Sequence, residues 1–130
     1  MHKPPHPPFR ILIVDDEESF ARMVHLNLEQ TAKFVVKTLF KGKETLEAAR
    51  SFRPHVILLD VVMTDVGGEK VAARLKEDPD LAKIPIVFLT ATIDPDKINQ
   101  LPSDLSVAVL SKPTSLDQLM ECLGKVLPLS

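Results

Sequence analysis

Val56-Ile-Leu-Leu-Asp60-Val-Val-Met63-Thr64-Asp65-Val-Gly67-Gly68 is the stretch on which the reading of the whole chain turns. Val56 to Leu59 are four consecutive apolar, mostly branched residues. A run of that length predicts a short strand buried on both faces, the usual condition of a parallel sheet. It stops at a carboxylate, Asp60, and passes into a loop that closes on a glycine pair. In open parallel sheets, ligands and chemistry sit just outside the carboxyl ends of the strands. An aspartate held there suits a nucleophile or a metal ligand. A helix N-cap is the structural alternative, and this stretch alone leaves the two open.

The chain has 130 residues, one domain's length and enough for a real core. Hydrophobic residues make up 45% and charged residues 26%, which excludes a disordered chain. A net charge of −2 supplies no general attraction to nucleic acid or to a membrane surface. No apolar run approaches the roughly 18 residues of a spanning helix. The N-terminus lacks a signal-peptide core. The one cysteine, Cys122, cannot form an internal disulfide, so a reducing cytoplasm is the expected location.

Residues 1–8 are proline-rich and read as a flexible, extended lead, in which His2 and His6 define no metal site. Ile11 to Val14 is a second buried-strand run, and it ends in Asp15, Asp16, Glu17 and Glu18. Acids in a first helical turn also favour the helix dipole, which is the structural reading of that cluster. The helix behind them is expected to bury Phe20, Met23, Val24 and Leu28. Phe34 to Leu39 reads as a strand, followed by a helix with Leu46, Ala49 and Phe52 inward and Pro54 as its stop. Val71, Ala72 and Leu75 mark a third helix, ended by Pro79. Pro85 to Leu89 is the next strand, delivering Thr90 and Ala91. Asp94-Pro95 starts a helix that Pro102 limits to about two turns. Val107 to Leu110 is the last strand, followed by Ser111, Lys112 and Pro113. Ser115 and Gln118 match a capping box for a final helix carrying Leu116, Leu119, Met120, Leu123, Val126 and Leu127, with Cys122 as packing. Five alternations of strand and helix predict one three-layer α/β domain with right-handed crossovers.

The strand ends together supply Asp15 and Asp16, Asp60, Thr90 and Lys112. Three carboxylates brought together stay ionised only if cations offset them. A hard divalent ion such as Mg²⁺, with oxygen ligands, does so. Lysine offers a point charge for a phosphoryl oxygen, and threonine a hydroxyl donor. Phosphoryl transfer to an aspartate needs this set.

With these residues in view, the chain resembles the receiver domains of two-component response regulators. The matching segments are Ile11 to Glu17, Ile57 to Met63 with Gly68, Ile84 to Ala91, and Leu110 to Pro113, and the resemblance spans residues 9–127, leaving 128–130 as a tail. It implies a flavodoxin-like (βα)5 domain with a parallel five-stranded sheet in the order 2-1-3-4-5. It implies a signalling domain rather than an enzyme, in which Asp60 accepts a phosphoryl group from a sensor histidine kinase or phosphotransfer protein. Asp15, Asp16, Asp60 and the main-chain carbonyl of Val62 would hold Mg²⁺. Thr90 and Lys112 would contact the phosphoryl group, and the Lys112–Pro113 bond would be cis. A downstream protein target is expected, as is a phosphorylation-dependent homodimer, but no direct contact with nucleic acid or membrane. Only three residues follow the last helix, so output is expected through protein contacts or onward phosphotransfer.

Several positions depart from the family's usual pattern. Thr64 stands where proline is usual, a change expected to loosen the loop. Val109 replaces the aromatic switch residue, and Leu105-Ser106 replaces Gly-Ala before the last strand. Val62 and Thr92, which flank the path of the hydrolytic water in related receivers, are poor at positioning it, so slow loss of the phosphoryl group is expected. Two other readings compete. Haloacid-dehalogenase phosphatases share a strand-end Asp nucleophile but need a second Asp where this chain has Val62. A binding module of the same fold that never takes phosphate is the other, and the presence of all five site residues argues against it.

Overall fold

The computed structural model describes residues 6–91, 96, 104–112 and 114–129. Five strands, β1 (Phe9–Val14), β2 (Phe34–Leu39), β3 (Val56–Asp60), β4 (Ile86–Thr90) and β5 (Ala108–Ser111), form one sheet in the order β2-β1-β3-β4-β5. Every neighbouring pair is parallel. Among the described residues there are four α-helices: α1 (Glu18–Glu29), α2 (Thr45–Phe52), α3 (Gly68–Glu77) and α4 (Leu116–Gly124). A short 3-10 turn, Gly42–Glu44, leads into α2. This is the α/β domain expected from the alternation of apolar runs, with the flavodoxin-like strand order that the resemblance implied.

Alternation along the strands explains the three layers, because successive side chains leave a strand on opposite faces. Ile11, Ile13, Val56, Leu58, Val87 and Leu89 point to one face and pack with Phe20, Val24 and Leu28 of α1 and Leu119 and Leu123 of α4. Leu12, Val14, Ile57, Leu59, Ile86 and Phe88 point to the other, against Ala48 and Ala49 of α2 and Val71, Ala72 and Leu75 of α3. All five residues of β3 are buried, as befits the central strand. β5, at the sheet edge, is only half-buried.

Two expectations about the core, Met23 and Leu116, need correction. Met23 is 42% exposed, and Ala21 takes its place inward. At 100° per residue the stripe formed by Phe20, Ala21, Val24 and Leu28 is centred about 115° from Met23, so the helix cannot bury both sides. Leu116 is exposed in the opening turn of α4. Ala49 is buried, and Leu46 and Phe52, half-buried, pack against the core as expected, beside Thr45 and Ala48. The final helix starts as expected. Ser115 Oγ accepts from the Gln118 N–H and Gln118 Oε1 from the Ser115 N–H, both at 3.1 Å. Cys122 is buried in the core. The proline-rich segment before His6, Thr92, the Asp94-Pro95 helix start, Pro102 and the Lys112–Pro113 bond lie outside the described residues.

Candidate functional site

Strand register brings the acidic residues together. β1 pairs with β3 so that Val14 lies beside Leu59, and the next residue of each strand is an aspartate. Asp60 is the last residue of β3 and no helix cap; α3 begins eight residues later, at Gly68, with Gly67 as its N-cap. Asp15 is fully buried, Asp60 4% exposed, and Asp16 half-buried. One carboxylate oxygen from each of Asp15, Asp16 and Asp60 lies within 4.8 Å of the other two.

Lys112 enters from the end of β5, where its N–H donates to the Thr90 carbonyl at 2.7 Å. Its Nζ stands 2.6 Å from Asp15 Oδ2, 3.5 Å from Asp60 Oδ2 and 3.7 Å from Glu17 Oε2. The Phe20 ring closes the remaining side, its centroid 4.9 Å from the ammonium. Burial would pull the Lys112 pKa down, but Asp15, Asp60 and Glu17 outweigh it and hold the ammonium above its usual value. Thr90 ends β4 and is 2% exposed.

One ammonium does not balance this cluster. Burial, and then the charge of Asp15, push the Asp60 pKa up to about 7, against the opposing pull of Lys112 and the Val62 N–H. That N–H donates to Asp60 Oδ1 at 3.3 Å. Asp15 Oδ1 takes the Glu17 N–H at 2.9 Å, and Asp15 Oδ2 lies 2.6 Å from the Lys112 ammonium. Three converging hard-oxygen donors whose charge one ammonium does not offset fit a small divalent cation.

The loop after Asp60 is held more firmly than its sequence suggests. Gly68 sits so close that a Cβ there would overlap the Asp60 carbonyl oxygen, and its N–H donates to Val61 O at 2.8 Å. Thr64, expected to loosen the loop, instead donates its main-chain N–H to Asp16 Oδ2 at 2.9 Å. Proline has no N–H with which to do this. Asp65 clasps the neighbouring turn, accepting from the Gly42 and Lys43 N–H groups at 3.1 and 3.0 Å. Slight burial raises the Asp65 pKa, but those two N–H groups dominate and hold the carboxyl below its usual range. Asp65 was not singled out in the sequence, because its partner 23 residues upstream carries no local signal.

A family model described as the response regulator receiver domain matches residues 11–124. The polar-differentiation response regulator DivK of Brucella anthropi is 31% identical over 123 residues, covering 92% of this chain and 97% of that protein. Response regulator PleD of Caulobacter vibrioides is 39% identical over 113 residues; the match covers 85% of this chain but only 24% of that longer protein. Among solved structures, the chemotaxis protein CheY4 of Vibrio cholerae is 30% identical with a TM-score of 0.82, covering 92% of this chain and 98% of its own. A putative response regulator from Chloroflexus aurantiacus is 27% identical with a TM-score of 0.83, covering 97% and 99%.

Proposed function

The chain belongs to the family of response regulator receiver domains, signalling domains that work with histidine kinases or phosphotransfer proteins, and we propose that Asp60 is its phosphoacceptor. The observation that carries this reading is the meeting of Asp60 with Asp15, Asp16 and Lys112 at the carboxyl ends of the strands. Asp15, Asp16, Asp60 and the Val62 carbonyl would hold Mg²⁺. When bound, the ion would offset the carboxylate charge and take up negative charge on the phosphoryl oxygens.

The chain's own residues supply the rest. An Asp60 carboxylate oxygen forms the bond to phosphorus as the phosphorus–nitrogen bond of the donor histidine breaks. The electron pair leaves with the imidazole. Lys112, already 3.5 Å from Asp60, turns its charge to a phosphoryl oxygen, and Thr90 donates to another. Both respond to the same new dianion, which is how the charge at Asp60 reaches β4 and β5. Among the described residues no helix is long and apolar enough to cross a membrane, and the expected setting is the cytoplasm.

Labelling with acetyl phosphate in Mg²⁺ tests the assignment. Wild type should incorporate one phosphoryl group and Asp60→Asn none. Label that survives in Asp60→Asn would place the phosphosite elsewhere. Steady turnover of a phosphomonoester without a stable acyl phosphate would favour a phosphatase instead.

A further inference from the structure

At the opposite end of the sheet lies a cavity of about 430 Å³ that the receiver chemistry does not use. β1 separates it from the acidic cluster by about 16 Å, at 3.3 Å per residue from Arg10 to Asp15. Arginines from three places converge on it: Arg10 from β1, Arg50 from α2, and Arg53 from the C-cap of α2. Arg53 has φ 52°, the left-handed region that a glycine would occupy without strain. The Arg10 Nε donates to the Arg53 carbonyl at 2.7 Å, bracing that residue, and among the described residues no carboxylate pairs with the outer nitrogens of Arg10.

The charges are not spent internally. Arg50 pairs with Asp78, but among the described residues neither Arg10 nor Arg53 has an ion-pair partner. Among the described residues of the lining Asp80 is the one carboxylate, against two arginines without an ion pair. His55 completes the polar side. Its Nδ1 accepts the Arg10 N–H at 2.8 Å, so the ring proton belongs on Nε2. Burial first, then Arg10 and His6, hold the His55 pKa below its usual value, so the ring adds a donor without adding charge. The other wall is apolar, built from Pro54, Leu81 and Ile84.

We propose that this cavity is a second ligand site, separate from the phosphosite, that takes a phosphate monoester carrying an apolar or planar organic body. A dianionic tetrahedral head matches two free guanidinium forks and a neutral imidazole donor. A carboxylate, with one negative charge and two oxygens, leaves one fork unmatched. The apolar wall favours an ester over the bare ion, and the volume suits a small organic ligand.

Titration of the Mg²⁺-free, ¹⁵N-labelled protein with adenosine monophosphate, inorganic phosphate and adenosine tests this. The monophosphate should produce saturable shifts at the amides of Arg53, His55 and Leu81, at lower concentration than inorganic phosphate, and adenosine should produce none. Arg53→Gly removes the guanidinium and relaxes the backbone, so folding is spared. It should weaken binding of the monophosphate by about tenfold while labelling of Asp60 is unchanged. Shifts confined to the surroundings of Asp60 and Lys112 would overturn the proposal. So would adenosine or inorganic phosphate binding as tightly as the monophosphate, or undiminished binding in Arg53→Gly.

Discussion

The main-chain N–H of Thr64 donates to Asp16 Oδ2 at 2.9 Å. The loop that follows the candidate phosphoacceptor is therefore tied to a member of the acidic cluster by a bond that the family's usual proline cannot make. Asp16 is thus pre-positioned by β1 behind it and by the β3–α3 loop in front.

Thr64→Pro should therefore lower the stability of the metal-free protein by about 1 kcal/mol, the usual worth of a partly exposed hydrogen bond to a charged acceptor. Thr64→Ala keeps the N–H and should be close to neutral. Urea midpoints of the two variants check this; equal midpoints would show that the N–H contributes nothing to stability.

Asp60 makes the metal-free fold sensitive to pH. Its folded pKa, raised to about 7 by burial and by Asp15, lies above the value of an unfolded carboxyl near 4. The folded state therefore holds the proton more tightly. The stability linked to that proton is complete below about pH 4 and is lost as pH rises through about 7. In EDTA, the denaturation midpoint of wild type should fall across this window more steeply than that of Asp60→Asn. Saturating Mg²⁺ should flatten the slope by favouring the ionised form. Parallel slopes for wild type and Asp60→Asn in EDTA would assign the dependence to another group.

The two glycines of the β3–α3 loop should behave oppositely. A Cβ at Gly68 overlaps the Asp60 carbonyl, so Gly68→Ala must move α3 away from the site, at a cost on the order of 2 kcal/mol. It should also slow labelling by acetyl phosphate. Nothing lies within 4 Å of a Cβ at Gly67, whose φ of −66° suits any residue. Gly67→Ser, which adds a capping hydroxyl to α3, should be neutral or stabilising. Thermal melts of the pair decide it.

Val62 is 75% exposed beside Asp60 and presents only methyl groups to water. If its apolar side chain limits hydrolysis of the acyl phosphate, Val62→Asn should lose label several-fold faster than wild type, because an amide can orient the attacking water. Equal decay would clear Val62 of that role.

Much of this protein could be read before folding. Apolar runs ending in Asp15, Asp60, Thr90 and Lys112 named the strands and the edge at which chemistry gathers, because a strand buried on both faces leaves an unambiguous local signal. The capping box at Ser115 and Gln118 was equally local. What stayed hidden depends on partners far away in the chain. The acids at the end of β1 could be named from the sequence, but how closely Asp15 meets Asp60 and Lys112 was set by register. Whether Met23 faced in or out rested on which side of α1 met the sheet. Thr64 read as a weakness until Asp16, 48 residues earlier, was found accepting its N–H. Arg10, Arg50 and Arg53 lie up to 43 residues apart and carry no local pattern that joins them. Side-chain type and period are properties of short segments, and those the amino-acid sequence determines by itself. Charge balance, the Asp60 pKa and the meeting of three arginines are properties of distances, which only the tertiary structure sets.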